Sequence, residues 1–267
     1  GAAAVAITKQ AVENYGEYEQ LVGGVETLFK SSADTVMQYA ANAYQTAGMS
    51  ANEYMTTVTA FSASLLQSMG GDTDAAAEKA NLAITDMSDN ANKMGSSMES
   101  IQNAYSGFAK QNYTMLDNLK LGYGGTKEEM QRLLDDANAL NAAQGNYTNY
   151  TINSYADIVD AIHTVQTEMG ITGTTAKEAE ETISGSIGML KTSLQNLITG
   201  MGDADANIDQ LCDNVVNSFK SVVKNISPVI QNLAKTIPNA MEGILDAISP
   251  LIPEFLELGV NLFEALL

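Results

Sequence analysis

Apolar residues recur at steps of three and four along almost the whole chain, and no run combines period-two alternation with β-branched enrichment. That periodicity belongs to helices with one buried face, and it excludes a sheet as the organising element. Tyr54, Val58, Phe61 and Leu65 form one such stripe, with Ser50 and Glu53 as a capping box ahead of it and Gly70-Gly71 as its stop. Asp72 then opens an alanine-rich helix whose stripe is Ala76, Ala80, Ala83, Met87, Ala91 and Met94, ended by Gly95. Met98, Ile101, Tyr105 and Phe108 follow as the next stripe. Leu121-Gly122-Tyr123-Gly124-Gly125 reads as a turn. Thr126 and Glu129 cap a helix that carries Met130, Leu133, Leu134, Ala137 and Leu140 inward. Residues 141–153 are rich in Asn, Thr, Tyr and Gly and read as the longest loop; a further helix carries Tyr155, Ile158, Ile162, Val165 and Met169. The expected fold class is all-α.

The texture changes near Thr174. Thr175 and Glu178 read as a third capping box. Ile183, Ile187, Leu190, Leu194, Leu197 and Met201 then step by four and three, the spacing of a coiled-coil seam. After Gly200-Met201-Gly202 a second seam runs through Ile208, Cys212, Val215, Phe219, Val222 and Ile226. All of these except Cys212 are the candidate interface residues, because little complementary apolar sequence lies nearby. These seams are expected to bury against other chains, in a homo-oligomer or against other proteins of a larger assembly; folding back of the two seams on each other at Gly200-Met201-Gly202 is the alternative. The prolines Pro228, Pro238, Pro250 and Pro253 all fall near the end, so the tail reads as short helices in series. Three segments follow: 1–173 as a helical core, 174–226 as coiled-coil-like helices, and 227–267 as an apolar, Pro-punctuated stretch. Its prolines and glutamates leave no uninterrupted apolar window long enough to span a bilayer. It reads as amphipathic and partner-covered, with insertion after a triggered rearrangement left open. Neither end carries a natural stop, and the chain is expected to be cut from a longer polypeptide at both.

Charge narrows the partners. Thirteen Lys and Arg stand against 32 Asp and Glu, and Arg132 is the only arginine. Phosphate backbones are held mainly by basic side chains, so specific nucleic-acid binding is not expected, and anionic membrane surfaces are disfavoured in the same way. With aromatics at 6% and no Trp, the packing should be thin, with Met and Leu filling gaps between alanine-rich helices. Cys212 is the single cysteine, so no internal disulfide can form.

No motif points to catalysis, a cofactor or a metal. Asp203-Ala204-Asp205-Ala206-Asn207-Ile208-Asp209 has the alternating oxygens of a calcium loop, but Ile208 stands where a glycine is needed and Asn214 where a bidentate glutamate is needed. It reads as an acidic first turn that complements a helix dipole. His163 is the one histidine and would have to serve every base role. The carboxylate pairs Glu128-Glu129, Asp135-Asp136 and Glu180-Glu181 lie on helices patterned for packing and read as solvated faces. Gly122-Tyr123-Gly124-Gly125-Thr126-Lys127 lacks the spacing and the preceding strand of a phosphate loop.

Four longer runs carry a resemblance. They are Tyr18-Glu19-Gln20-Leu21-Val22-Gly23-Gly24-Val25-Glu26-Thr27-Leu28-Phe29-Lys30; Thr59-Ala60-Phe61-Ser62-Ala63-Ser64-Leu65-Leu66-Gln67-Ser68-Met69-Gly70-Gly71-Asp72-Thr73; Ala83-Ile84-Thr85-Asp86-Met87-Ser88-Asp89-Asn90-Ala91-Asn92-Lys93-Met94-Gly95, continuing to Met130; and Thr167-Glu168-Met169-Gly170-Ile171-Thr172-Gly173-Thr174-Thr175-Ala176-Lys177-Glu178-Ala179. Over roughly residues 10–205 the chain resembles tail tape measure proteins of siphoviruses and prophages from Gram-positive hosts; the last sixty residues are similar only in style. The resemblance implies a structural protein without enzymatic activity. Such a protein is an oligomeric helical rod inside the tail tube that sets tail length and assists genome ejection. It implies further copies of the chain and tail tube and tail tip proteins as partners, the host envelope at ejection, assembly in the host cytoplasm, and the virion tail as location. The family's occasional peptidoglycan hydrolase domain has no matching residues here. A helical cell-surface or secreted interaction module, and more remotely a cell-wall hydrolase fragment, are the other classes these helices could serve.

Overall fold

The computed structural model describes residues 2–236 together with the isolated positions Gly243, Asp246, Ser249, Pro250 and Pro253. It is all-α: ten α-helices and two short 3-10 turns, with no strand among the described residues. The helices are α1 (Ala2–Phe29), α2 (Ala33–Thr46), α3 (Ala51–Ser68), α4 (Thr73–Met94), α5 (Met98–Phe108), α6 (Lys127–Ala143), α7 (Tyr155–Glu168), α8 (Thr174–Glu181), α9 (Ile183–Gly200) and α10 (Ile208–Thr236). The 3-10 turns are Lys30–Ser32 and Leu116–Leu119.

Local chemistry sets the helix starts. Ser50 accepts from the Glu53 amide while the Glu53 carboxylate takes the Ser50 amide, the reciprocal box expected there. Asp72, Ser97, Thr126, Ser154 and Thr182 each cap their helix by accepting an amide three residues on. Gly95 ends α4 at φ 67°, a left-handed conformation that a side chain would strain. The third box is corrected: α8 begins at Thr174, so Thr175 lies inside the first turn and not at its cap. Its amide goes instead to a carboxylate of α4, described below.

The chain divides into two compact units, residues 19–178 and residues 1–18 with 179 onward. The expected boundary at 173/174 therefore falls inside the first unit, and the first eighteen residues group with the second. In the first unit, α4 packs against α2, α3, α5 and α7, and α6 pairs with α7. The stripe residues read from sequence are buried there: Tyr54, Val58, Phe61 and Leu65; Ala76, Ala80, Ala83 and Met87; Ile101, Tyr105 and Phe108; Met130, Leu133, Leu134 and Ala137; Tyr155, Ile158, Ile162 and Val165. Ala91, Met94, Met98 and Leu140 of those stripes, near the ends of their helices, are only half-buried, and Met169, the residue after α7, stands 45% exposed because the helix ends before its side chain can turn inward. Met55, Met87 and Met130 are fully buried, the gap-filling role expected of methionine.

In the second unit α9 and α10 pack on each other as a hairpin. The expectation that both seams bury against other chains is thereby corrected in part: the hairpin buries Leu190, Leu197 and Val222 within the chain, the alternative of the two. At the turn, a Cβ on Gly202 would sit 2.6 Å from Cβ of Tyr15, so glycine admits the close approach of α1. At the far end Asn225 donates to the carbonyls of Glu180 and Thr182, which closes the break between α8 and α9. Pro228 does not end α10, as the sequence suggested it would; the helix runs through it to Thr236. Both Pro228 and Lys224 are exposed, so water can reach the carbonyl that loses its amide partner. The expected boundary at 226/227 thus falls within α10, and the short helices expected beyond 236 lie outside the described residues. No described helix is long and apolar enough to cross a membrane.

Candidate functional site: a buried polar cluster and an exposed helical seam

Two features stand apart from ordinary helix packing, one in each unit. The first is a run on α4. Asp86, Ser88, Asp89 and Asn90 are all buried, at the end of an otherwise apolar stripe. Buried polar groups must find partners, and each of these reaches a different part of the fold. Ser88 donates to the carbonyl of Ala47, after α2. Asn90 donates to the carbonyl of Leu119 (2.9 Å) and to Oε1 of Gln166 on α7 (2.7 Å), and Gln166 in turn donates to the carbonyl of Asp86 (3.1 Å). The Asp89 carboxylate accepts the amides of Gly173 (2.6 Å) and Thr175 (2.8 Å), so it sits at the N-terminus of α8, where the helix dipole favours an anion. Asp86 meets Nδ1 of His163 with both oxygens, at 2.9 and 3.0 Å. Beside that pair Lys79 of α4 bonds Asp160 of α7. One helical turn and a half of α4 therefore holds α7, α8, the 3-10 turn and the residue after α2.

The ionisable pair of this cluster is shifted by burial and by its own bond. Burial raises the Asp86 carboxyl, against the pull of its bond to His163, and the same bond raises His163. Elsewhere Glu129 is held down to about 2 by the Arg132 guanidinium and by the Gly124 amide, the wrong direction for a general acid. Arg132 lies 4.3 Å over the Tyr123 ring and also donates to the Gly122 carbonyl, so Glu129, Arg132 and Tyr123 clasp the turn before α6. Cys212 is half-buried, and burial with Asp209 and Asp213 raises its thiol, opposite to what a thiolate nucleophile needs. Among the described residues no group of three or more His, Cys, Asp or Glu could hold a metal ion. In the acidic loop Asp203 accepts the Asp205 amide and Asn207 accepts the Gln210 amide, which caps α10.

The second feature is the outer face of α10. Of the residues singled out from sequence, Leu190, Leu197 and Val222 are buried, while Ile183, Leu194, Met201, Ile208, Val215 and Ile226 are half-buried. Ile187 and Phe219 are exposed, at 37% and 44%. The hairpin thus uses part of each seam internally. What it leaves outside is a stripe the sequence reading did not separate: Val216, Phe219, Val223, Val229 and Leu233, each 38–49% exposed, with Ile226 and Ile230 half-buried among them. The positions 216, 219, 223, 226, 230 and 233 alternate steps of three and four, and that spacing was the available signal. Beyond Asn225 α10 also runs past the α9 start, over a length of about 16 Å at the helical rise of 1.5 Å per residue.

Comparison with protein-family models, with curated proteins and with solved structures finds no match to this chain.

Proposed function

We propose that this chain is part of a bacteriophage tail tape measure protein, a structural protein of the tail tube interior and not an enzyme. The observation that carries the reading is the exposed stripe of α10 on an all-α chain. A row of valine, phenylalanine and leucine at three-and-four spacing is what one helix of a coiled coil offers another. Val216, Val223 and Leu233 of that series are 38–49% exposed, so covering what remains of each against a partner adds a part of the roughly 1.5–3 kcal/mol that full burial of such a side chain contributes. α10 of a second copy carries the same series, which makes a homo-oligomer the first partner. The sequence resemblance over roughly residues 10–205 supplies the setting: copies held together inside the tail tube, with tail tube and tail tip proteins around them. Assembly takes place in the host cytoplasm, and the oligomer meets the host envelope at ejection. The acidic balance of the chain, with 32 acids against 13 bases, fits a rod that leaves ahead of the genome without binding it.

Electron microscopy of particles made by the encoding phage or prophage tests this directly. Antibody against this chain should label the interior of broken or immature tails. In-frame deletion within helical portions of the polypeptide should shorten the tail by about 1.5 Å per residue removed. Label confined to the bacterial surface, or tails of unchanged length after deletion, would reject the reading.

A further inference from the structure

We propose that Asp86 and His163 form an acid-closed latch between α4 and α7: a proton taken up by the imidazole locks α7 onto α4, and loss of that proton loosens α7 together with the α7–α8 connection. This inference is independent of any role in a phage tail.

The geometry supplies both halves of such a device. The Asp86 side chain is 1% exposed, and both its oxygens lie at hydrogen-bond distance from a single donor, Nδ1 of His163. A buried carboxylate is stable only when paired or protonated. The His163 side chain is 31% exposed, so its ring exchanges protons with water while holding the buried acid. The surroundings offer no substitute for it. On α4 the neighbouring groups are Lys79 and Asp89; on α7 there is Asp160; on α5 there is the fully buried Tyr105. Lys79, the cation of that set, is bound to Asp160, and Asp89 is held by the Gly173 and Thr175 amides. Asp160 and Asp89 both add negative charge facing Asp86. A neutral His163 in its Nδ1–H tautomer still donates to Asp86 but no longer offsets its charge, which then stands buried among like charges.

Both partners hold their protons more firmly in the fold than in the unfolded chain. Burial pushes Asp86 up to about 6, above its ordinary 3.8, and the Asp86 bond raises His163 above 6.5. For His163, the stabilisation is fully present below 6.5 and is lost as pH rises through the raised folded value. For Asp86, the penalty of the buried anion is present above about 6 and is relieved as pH falls from there towards 3.8. The two effects have the same sign, so α7 is held most firmly at mildly acid pH and is released as pH rises through the raised His163 value. Gln166, three residues after His163, and Asp89, three after Asp86, carry the change to the 170–176 connection through their own bonds.

His163 is the only histidine, so its imidazole C–H resonances need no assignment by mutation. Titration of the full chain by proton NMR should give a midpoint above 6.5, and Asp86→Asn should bring that midpoint down. Hydrogen exchange, corrected for the intrinsic pH dependence of exchange, should show α7 and residues 170–176 losing protection between pH 5.5 and 8, in step with the rise that the titration measures, one pKa unit being about a tenfold effect. In His163→Gln the pH dependence should vanish. A wild-type midpoint at or below 6.5 would overturn the latch. So would equal protection at the two pH values, or a dependence that persists in His163→Gln. If His163→Gln fails to fold, the wild-type titration and exchange decide alone.

Discussion

Replacing Asp89 with asparagine isolates what a buried carboxylate contributes to this fold. Asp89 is fully buried and accepts two backbone amides, Gly173 at 2.6 Å and Thr175 at 2.8 Å. A hydrogen bond to a charged group contributes about 1.5–3 kcal/mol. Gly173 is exposed, so its amide is rehydrated once the carboxylate is gone, whereas Thr175 is half-buried and is left partly unpaired. Loss of the favourable charge at the start of α8 adds roughly 0.3–1 kcal/mol. The total is about 3 kcal/mol. Asparagine keeps the volume but can accept only one of the two amides well, and it turns an NH₂ towards the other. For a unit of this size, 1 kcal/mol shifts the melting temperature by roughly 2–4 °C, so Asp89→Asn should lower it by about 6–12 °C. Calorimetry reads the global loss. Hydrogen exchange reads the local one, which should fall first on residues 173–176. A variant within about 0.5 kcal/mol of the parent, or unchanged protection at those amides, would refute the claim that this carboxylate holds the start of α8.

Three further substitutions test the packing. Phe108 is 1% exposed, with the rings of Tyr105 and Tyr113 at 5.8 and 6.3 Å, so Phe108→Ala should cost about 3–5 kcal/mol in urea unfolding. Gly125→Ala would place a Cβ 2.3 Å from the Thr114 carbonyl oxygen, a backbone atom that cannot turn aside, and should cost about 1–3 kcal/mol by the same assay. Gly188 lies inside α9 with nothing within 4 Å of a Cβ, so Gly188→Ala should raise stability by about 0.5–1 kcal/mol, read as a higher denaturant midpoint.

The apolar stripes of α3 to α7 were legible because helical spacing alone names the buried face. The caps at Ser50, Asp72 and Thr126 were legible because they act over three residues. The α4 cluster was not. Asp86 and Asn90 lie three residues after Ala83 and Met87, on the flank of the stripe, and that placement was the only hint. Their partners His163, Gln166 and Leu119 stand 77, 76 and 29 residues away, so nothing local distinguishes these side chains from solvated ones. The start of α8 was misread for the same reason: its cap comes from α4, not from its own sequence. In α10 two three-and-four series overlap and share Phe219 and Ile226. The sequence reading followed the one that includes Val222, which the fold buries, and passed over the one that includes Val216 and Val223, which the fold leaves outside. Pro228 looked like a stop because its cost depends on exposure, and exposure follows from packing.

Pairing of α10 with a second copy through its outer stripe is the central requirement of the proposed function. Sedimentation of the full chain over a range of concentrations, beside a Val216→Asp/Val223→Asp variant, measures this directly. The parent should assemble with rising concentration, and the variant should remain a monomer with the same helical circular dichroism, because neither side chain faces into the hairpin. A parent that stays monomeric at the highest attainable concentration, or a variant that assembles as well as the parent, would contradict the account.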